Sequence, residues 1–287
     1  MYGVIASVAN GLLAGCIYGL AGVGLTLIFG VMRIINLAHG AMIALGMFSL
    51  YFLSSYLGWN PYAAAPAALA LGFVVGIALY WVAVHRVIDQ AELMSLLATF
   101  AVSMIVIGLG TVLLSTSPYN VQFSLPGLAF HGYTIPGHHI LAAAAAIVIA
   151  AVLYFVLYYT RLGKAIRAVA DNREAAELMG IPSARVLAIA FGIGTAIASV
   201  SGALIATLFP FTVLSGGGYE LKSFVVTVLG GLGNPAGALL GGLLIGAIEG
   251  SVAPFVSVSW TPVIEFSLFV LILIVFPRGL FRIGGGR

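Results

Sequence analysis

Long apolar runs with almost no charge are the feature that most restricts the fold of this chain. Only 7% of its 287 residues are charged and 62% are hydrophobic, whereas an ordinary soluble domain has about 25% charged residues. Eight acids and eleven bases cannot cover a soluble fold of this size, and a disordered chain needs high charge and low hydrophobicity. The runs are also too long for an outer-membrane barrel, whose strands alternate over about ten residues. We therefore predict an all-α polytopic membrane protein.

A helix needs about 20 apolar residues to cross the hydrocarbon core of a bilayer. We predict about seven full spans, at 4–29, 36–57, 62–84, 93–114, 140–159, 187–209 and 259–276. The stretch 221–253 is different because Gly233, Asn234 and Pro235 interrupt it. It forms either a short, broken re-entrant helix pair or two tilted spans, which would raise the total to nine. No change of composition divides the chain, so we expect one membrane domain over residues 1–287.

The bases are distributed unevenly over this map. Ten of the eleven lie on one side, in the loops after the first, third and fifth spans and in the tail, and only Lys222 lies on the other. Short cytoplasmic loops of membrane proteins carry an excess of lysine and arginine. We therefore predict that the N-terminus lies outside and the C-terminus inside.

The polar segment 160–186 predicts two short helices. Its first part, 161–169, has the apolar periodicity of an amphipathic helix. The opposite face carries Arg161, Lys164 and Arg167. Such a helix can anchor a loop to the lipid surface, and this interpretation suits the first helix reasonably well.

The second short helix carries charges of both signs and fits a lipid anchor poorly. We predict that Asp171 caps its N-terminus, with Glu174 as the reciprocal partner in a capping box. Gly180 is expected to end it in a left-handed conformation, and Pro182 prevents continuation. A docking surface for a cytosolic partner explains this helix better than the membrane interface does.

Polar residues inside apolar helices are costly, so each is a candidate for a translocation path. Asn36 is predicted to cap the second span, and His39, one turn later, faces either a path or a neighbouring carbonyl group. Asn234 and Pro235 fit the cap and first residue of a helix that begins within the bilayer. Free backbone groups at such a start need shielding by protein or water, so we expect a cavity nearby.

Further candidates lie toward the outer side of the map. Gly217 and Gly218 precede a short helix predicted from Glu220, and amide groups at a glycine-rich helix start can hold a carboxylate. A flexible outer loop explains these glycines equally well. Glu249 and Glu265 lie in apolar helices, with no base predicted at their depth. Glu249 shares its helix with a glycine-rich face and is the better pathway candidate.

Three blocks of sequence stand out, at 24–31 with 35–41, at 161–172 with 174–181, and at 228–238. Together they resemble the permease subunits of bacterial high-affinity branched-chain amino acid ABC importers. The blocks follow that family's order, and the resemblance extends over essentially the whole chain. The start of the family's EAA motif is matched, whereas its Ile-x-Leu-Pro end is absent.

The resemblance implies a multi-span permease that pairs with a second related permease subunit, as a heterodimer or a homodimer, in the bacterial inner membrane. It implies two cytosolic ATPases that bind ATP-Mg, a periplasmic binding protein, and leucine, isoleucine or valine as the substrate. It also implies that the loop 161–182 couples the ATPases to the membrane helices. The candidate coupling residues are Arg161, Lys164, Arg167, Asp171, Glu174, Ala175, Ala176 and Gly180.

The sequence carries no motif for chemistry of its own. It has no G-x-x-x-x-G-K-[ST] phosphate loop, no H-E-x-x-H motif, and a single cysteine, Cys16. We therefore expect no enzyme activity and no cofactor or metal bound by this chain. The net charge of +3 gives no indication of nucleic-acid binding, because bases in a membrane protein report orientation.

Besides a secondary transporter, which would more typically carry an ion-coupling acid at the midplane of a broken helix, two other functions remain open. Asn36-Leu37-Ala38 and Asn234-Pro235-Ala236 are similar to the paired Asn-Pro-Ala boxes of aquaporin-type channels, which would indicate a passive channel for a small neutral solute. Against this interpretation, leucine replaces proline in the first box, and no arginine follows the second. The other alternative is an ABC permease for urea or short amides.

Overall fold

The computed structural model describes residues 2–130, 133–257, 260–276 and 279–280. Its helices are α1 (Tyr2–Met32), α2 (His39–Leu57), α3 (Pro61–Leu79), α4 (Glu92–Leu114), α5 (Gly137–Tyr159), α6 (Arg161–Asp171), α7 (Arg173–Leu178), α8 (Ser183–Ala206), α9 (Ser215–Gly230), α10 (Pro235–Val252) and α11 (Thr261–Val275). A π-helical segment, Tyr80–Val84, extends α3. Between α4 and α5, the strands β1 (Leu128–Phe130) and β2 (Tyr133–Ile135) form an antiparallel hairpin.

Seven helices in the described part of the chain are long and apolar enough to cross a membrane, which confirms the predicted polytopic helical class. They are α1, α2, α3 with its extension, α4, α5, α8 and α10. The prediction differs at the C-terminal end of the chain. It placed α10 in the broken helix pair and a full span at 259–276, whereas the structure has the span at α10 and a shorter helix, α11, at 261–275. Helix α11 has 15 residues, or about 22 Å, whereas the hydrocarbon core is about 30 Å thick.

Helix α1 is the central element, and it packs along its length against α10. Glycines at helical spacing make this approach possible, because small residues allow helix backbones to come together in lipid. A Cβ atom on Gly15 would lie only 2.6 Å from the carbonyl oxygen of Gly242, and one on Gly246 would lie 2.6 Å from the Cα of Gly15.

Helix α2 begins in the middle of the bundle. The Nε2 group of His39 donates a hydrogen bond to the carbonyl oxygen of Ala21 at 3.0 Å, and Ala21 lies in the middle third of the 31-residue α1. The linker 33–38 therefore returns from the end of α1 into the bundle. Thr99 of α4 holds this linker by accepting a hydrogen bond from the amide of Leu37 at 3.1 Å.

Helix α9 lies obliquely across the middle of α1. The ring of Tyr219 is 6.1 Å from that of Tyr18, and Thr227, two turns later, donates a hydrogen bond to the carbonyl oxygen of Gly22 at 3.0 Å. A stretch of nine residues in α9 thus meets only five residues of α1. The predicted start at Glu220 is wrong, because α9 begins five residues earlier and includes the glycine-rich segment.

The two groups α1–α4 and α8–α11 repeat each other. Helices α1, α2 and α3 correspond in order to α8, α9 and α10. Their contacts agree with this correspondence: α1 packs on α10 as α8 packs on α3, α2 packs on α8 as α9 packs on α1, and α2 packs on α3 as α9 packs on α10. In both groups the third helix starts with the same pair, because Asn60–Pro61 and Asn234–Pro235 each supply an N-cap and a first helical residue. We call these groups the first half and the second half.

The two halves have opposite directions in the membrane. Gly24 of α1 faces Ile197 of α8, whereas Ile28 faces Gly194, so the two equivalent helices are antiparallel. Inverted repeats of this kind are typical of transporters, which place their substrate path where the halves meet near the bilayer midplane.

The basic loops gather at one end of the bundle, here called the basic end. A polar cleft of about 380 Å³ at this end is lined by Arg33 after α1, Asp89 before α4, and residues 169–174 of α6 and α7. The loops after the first, third and fifth spans therefore lie on the same side, as the distribution of bases predicts. Arg278, Arg282 and Arg287 of the tail lie outside the described residues.

Candidate functional site

Helix α6 packs its apolar side onto the basic end. Thr160 caps it by accepting a hydrogen bond from the amide of Gly163 at 3.1 Å, and Ile166 and Val169 are buried. The predicted polar face is confirmed, since all three of its bases are exposed: Arg161, Lys164 and Arg167.

Helix α7 begins and ends for local reasons. The side chain of Asn172 accepts a hydrogen bond from the amide of Ala175 at 3.0 Å and forms the N-cap. The prediction that Asp171 is the cap is wrong, because Asp171 is the last residue of α6 and Asn172 serves both helices. Gly180 follows with a φ of +82°, as predicted, since glycine has no Cβ penalty in the left-handed region.

Two side chains tether α7 to the membrane helices. The Nη1 atom of Arg173 lies 2.5 Å from Oδ1 of Asp89 in the turn before α4. Glu177 accepts a hydrogen bond from the hydroxyl of Ser183, the first residue of α8. The Ser183 hydroxyl and the Arg173 guanidinium lower the pKa of Glu177 below its ordinary value. The carboxylate is therefore ionised at neutral pH and holds both contacts.

The free tip of α7 exposes two large apolar side chains. Leu178 is 88% exposed and Met179 is 82% exposed, beside exposed Glu174 and Ala175, whereas Ala176 is buried against the bundle. Adjacent apolar side chains exposed outside the spans are typical of an interaction site. Sequence reasoning missed Leu178 and Met179, although two large apolar residues directly before the terminating glycine were a usable signal.

The N-termini of α2 and α9 meet in the middle of the bundle. A Cβ atom on Gly40 would lie 2.6 Å from the carbonyl oxygen of Gly216, so the two backbones are in contact. The carboxylate of Glu220, one turn into α9, lies against Gly40, with Oε2 2.6 Å from the Cβ position of that glycine. Gly217 and Gly218 face open space, since no described atom lies within 4 Å of their Cβ positions.

Asn36 and His39 lie next to this junction and are buried, at 1% and 0% exposure. Asn36 does not cap α2. Its Oδ1 accepts a hydrogen bond from the amide of Ala38 at 3.1 Å, within the linker before the helix. His39 was expected to face either a translocation path or a neighbouring carbonyl group, and the structure shows the contact with a carbonyl group.

Asn234 has the predicted local role. Its Oδ1 accepts a hydrogen bond from the amide of Gly237 at 3.1 Å, and Pro235 is the first residue of α10. The helix starts that meet in the bundle, however, are those at Gly40 and Gly216. The first Asn box precedes α2, which belongs to this pair, but the second precedes α10, which does not. This geometry therefore differs from that of an aquaporin-type channel, in which both boxes start the helices that meet.

A partly buried ion cluster joins α9 to α10 and α11. The Nζ atom of Lys222 lies 2.9 Å from Oε2 of Glu249 and 3.2 Å from Oε1 of Glu265. It also lies 4.2 Å from the ring centre of Tyr18. The prediction that no base lies at the depth of the two glutamates is wrong, because Lys222 contacts both of them. The oblique course of α9 carries this lysine into the bundle.

Comparison with known proteins covers nearly the whole chain. Residues 7–276 match the family described as branched-chain amino acid transport system / permease component. The chain is 30% identical over 294 residues to the high-affinity branched-chain amino acid transport system permease protein LivH of Escherichia coli (strain K12), with 94% of this chain and 93% of that protein covered.

Two further proteins are similar to this chain. The permease protein BraD of Pseudomonas aeruginosa, which belongs to a high-affinity branched-chain amino acid transport system, is 27% identical over 296 residues, with 98% of this chain and 96% of BraD covered. The ribose import permease protein RbsC of Escherichia coli (strain K12) is 27% identical over 199 residues, with 66% of this chain and 60% of RbsC covered.

The family match includes both inverted halves and the α6–α7 segment between them. The family is one of transport permeases and is not a family of enzymes. Together with the seven apolar helices, the match shows a multi-pass protein of the inner membrane. The chain belongs to the family of permease components of branched-chain amino acid transport systems.

Proposed function

We propose that this chain is one permease subunit of an ATP-driven ABC importer that moves leucine, isoleucine and valine from the periplasm to the cytoplasm by alternating access. A second related permease subunit completes the path, two cytosolic ATPases bind ATP-Mg, and a periplasmic binding protein delivers the substrate. The basic end faces the cytoplasm, which leaves the N-terminus outside and the C-terminus inside. The tethered α7 with its exposed apolar tip carries this proposal, since a passive channel needs no such surface.

The tip of α7 docks into a cleft of the ATPase. Leu178 and Met179 become buried there, and full burial of such side chains contributes roughly 1.5–3 kcal/mol each. Exposed charged groups of α6 and α7 supply the polar rim that is usual at protein interfaces. These groups are Arg161, Lys164, Asp171 and Glu174, all exposed.

Movement of the docked α7 reaches both halves of the permease. Arg173 transmits it to Asp89 beside α4 in the first half. Glu177 transmits it to Ser183 at the start of α8 in the second half. Because α8 packs against α1, α2 and α3, a displacement at its first residue acts on the core of the bundle.

The substrate path passes the junction of α2 and α9. A branched-chain amino acid carries a carboxylate and an ammonium group. Helix starts are suited to hold anions, and the open space beside Gly217 and Gly218 gives access to the start of α9. The carboxylate of Glu220, with no lysine or arginine within 4 Å among the described residues, suits the ammonium group.

The substrate class rests on the relatives, since LivH and BraD are named for branched-chain amino acids. RbsC, which shares part of this scaffold, is named for ribose. The membrane scaffold alone therefore does not fix the substrate, and the binding protein sets most of the selectivity. Uptake of labelled leucine and labelled urea by the same importer separates the amino acid proposal from the urea alternative.

Co-purification with the cytosolic ATPases tests the coupling proposal. We expect the wild-type permease to retain the ATPases and the L178S/M179S variant to lose them. A deletion of 172–180 should have the same effect. The matched control is Leu128→Ser on β1, where the leucine is 66% exposed and lies far along the chain from α7. Retention of the ATPases by L178S/M179S would refute docking through this tip.

A further inference from the structure

An apolar groove of about 470 Å³ runs along the bundle between α1, α5 and α10. Cys16 and Val23 of α1 form one wall, Ala151 of α5 a second, and Leu243 of α10 a third. Every lining side chain is apolar apart from the thiol of Cys16 and the hydroxyl of Tyr154. At the depth of a membrane span, an open apolar groove faces lipid acyl chains.

The groove leads toward the basic end, where a smaller cavity of about 140 Å³ shares Pro235 with it. The wall of this second cavity is mostly apolar but includes a few polar side chains. Thr26 lines it with a fully buried hydroxyl that has no hydrogen-bond partner among the described residues. Buried polar groups are normally paired, so this hydroxyl is available to donate a hydrogen bond to a bound ligand.

Arg167 of α6 lines the same cavity. Its guanidinium lies 4.9 Å from the ring centre of Tyr158, so the side chain lies against α5. No carboxylate of the described residues lies within ion-pair distance of it. Arginine binds phosphate through paired charge-assisted hydrogen bonds, so the polar end of the groove suits a phosphate group.

The length of the combined groove matches one lipid. Its lining on α1 extends from Cys16 to Val31, which is about 22 Å at 1.5 Å per residue. One leaflet of hydrocarbon is about 15 Å thick, and the glycerol and phosphate groups need the remainder. An acyl chain fits beside Cys16 and Val23, an ester oxygen beside Thr26, and the phosphate beside Arg167.

We propose that this groove binds one anionic phospholipid from the leaflet at the basic end. Its acyl chain fills the space between α1, α5 and α10, the Thr26 hydroxyl donates to an ester or phosphate oxygen, and Arg167 binds the phosphate. Arg161 and Lys164 on the same helix add positive charge nearby, which favours a lipid with net negative charge. The proposal does not depend on which substrate the importer carries.

Lipid retention by the assembled, purified importer tests this site, with phosphatidylglycerol and phosphatidylcholine as probes. We expect native mass spectrometry to find phosphatidylglycerol on the wild-type chain and little phosphatidylcholine. Arg167→Gln should lower phosphatidylglycerol retention at least about fivefold. The control Lys164→Gln removes an equal charge from α6 outside both cavities and should retain most of the lipid. Ala151→Phe fills the groove without changing charge and should also displace the lipid.

Three results would overturn the proposal. The first is equal retention of the two lipids by the wild-type protein. The second is undiminished phosphatidylglycerol on Arg167→Gln, checked by gel filtration for an intact assembly. The third is a photo-cross-linker at Leu243 that captures the second permease subunit instead of lipid, because this face would then be a subunit interface.

Discussion

Arg173 of α7 and Asp89 of the turn before α4 form an ion pair, with 2.5 Å between Nη1 and Oδ1. Glu177, one turn later in α7, is bound to Ser183 at the start of α8. A single short helix outside the spans is therefore attached to both inverted halves of the bundle. Relative movement of two halves is what alternating access requires, so α7 is placed where an external force can act on it.

Breaking the Arg173–Asp89 tether should uncouple transport without unfolding the protein. Asp89→Asn removes an exposed pair, and such pairs contribute only about 0–1 kcal/mol to stability. We expect the ATPases to remain bound and ATP hydrolysis to continue, while leucine uptake per ATP falls severalfold in proteoliposomes. Glu92→Gln removes a nearby exposed carboxylate as the control. An unchanged ratio of uptake to hydrolysis in Asp89→Asn would show that this tether does not transmit movement.

Removing the apolar tip should weaken ATPase binding strongly. With roughly 1.5 kcal/mol or more lost for each of Leu178 and Met179, L178S/M179S should raise the Kd of the purified ATPase for the permease in nanodiscs by about 100-fold. Leu128→Ser should leave the Kd unchanged. A shift of less than about threefold for the double variant would mean that ATPase contacts lie elsewhere, for example on the α6 bases.

The glycine contact between α1 and α10 should be a stability determinant. Gly15→Ala places a methyl group 2.6 Å from the carbonyl oxygen of Gly242, and overpacking of this kind costs about 1–3 kcal/mol. Thermal unfolding in detergent should show a lower Tm. Gly108→Ala on α4, where nothing lies within 4 Å of the added group, should leave the Tm the same or slightly higher. Equal Tm values for the two variants would contradict the close packing.

In the cluster of Lys222, Glu249 and Glu265, loss of the lysine should destabilise the protein more than loss of one glutamate charge. Lys222→Met leaves the buried carboxylate of Glu265 and the partly exposed carboxylate of Glu249 without a cation. Breaking a fully buried pair costs about 3–5 kcal/mol, so we expect a clear loss of stability below that range. Glu249→Gln leaves a neutral one-to-one pair with Glu265 and should cost much less. Chemical unfolding of the purified permease compares the two. A more severe effect of Glu249→Gln would point to a role beyond charge balance.

Much of the fold could be predicted because hydropathy and capping are local properties. The long spans, the cap at Asn234 and the left-handed end at Gly180 all follow from a few neighbouring residues. The predicted helix caps at Asn36 and Asp171 are wrong, but each lies within one to three residues of the observed helix boundary. Asp171 lies beside Asn172, a second residue able to cap, and the first turn of α2 begins only after the linker has turned back into the bundle.

The position of α9 could not be predicted in the same way. The depth of a helix start depends on how far the preceding chain returns into the bundle, and that depends on packing against α1. The partners of Lys222 were missed for this reason. The inverted repeat could not be predicted either, because the two halves share little local sequence. Their clearest common feature is one residue pair, Asn60–Pro61 in the first half and Asn234–Pro235 in the second.

Uptake of labelled leucine into proteoliposomes that contain the assembled importer is the most direct test of coupling through α7. We predict uptake by the wild-type protein that requires ATP and the binding protein, with no accumulation of labelled urea. L178S/M179S should reduce uptake to background, and Leu128→Ser should preserve it. Leucine uptake that survives the double substitution, or that continues without ATP, would contradict the account.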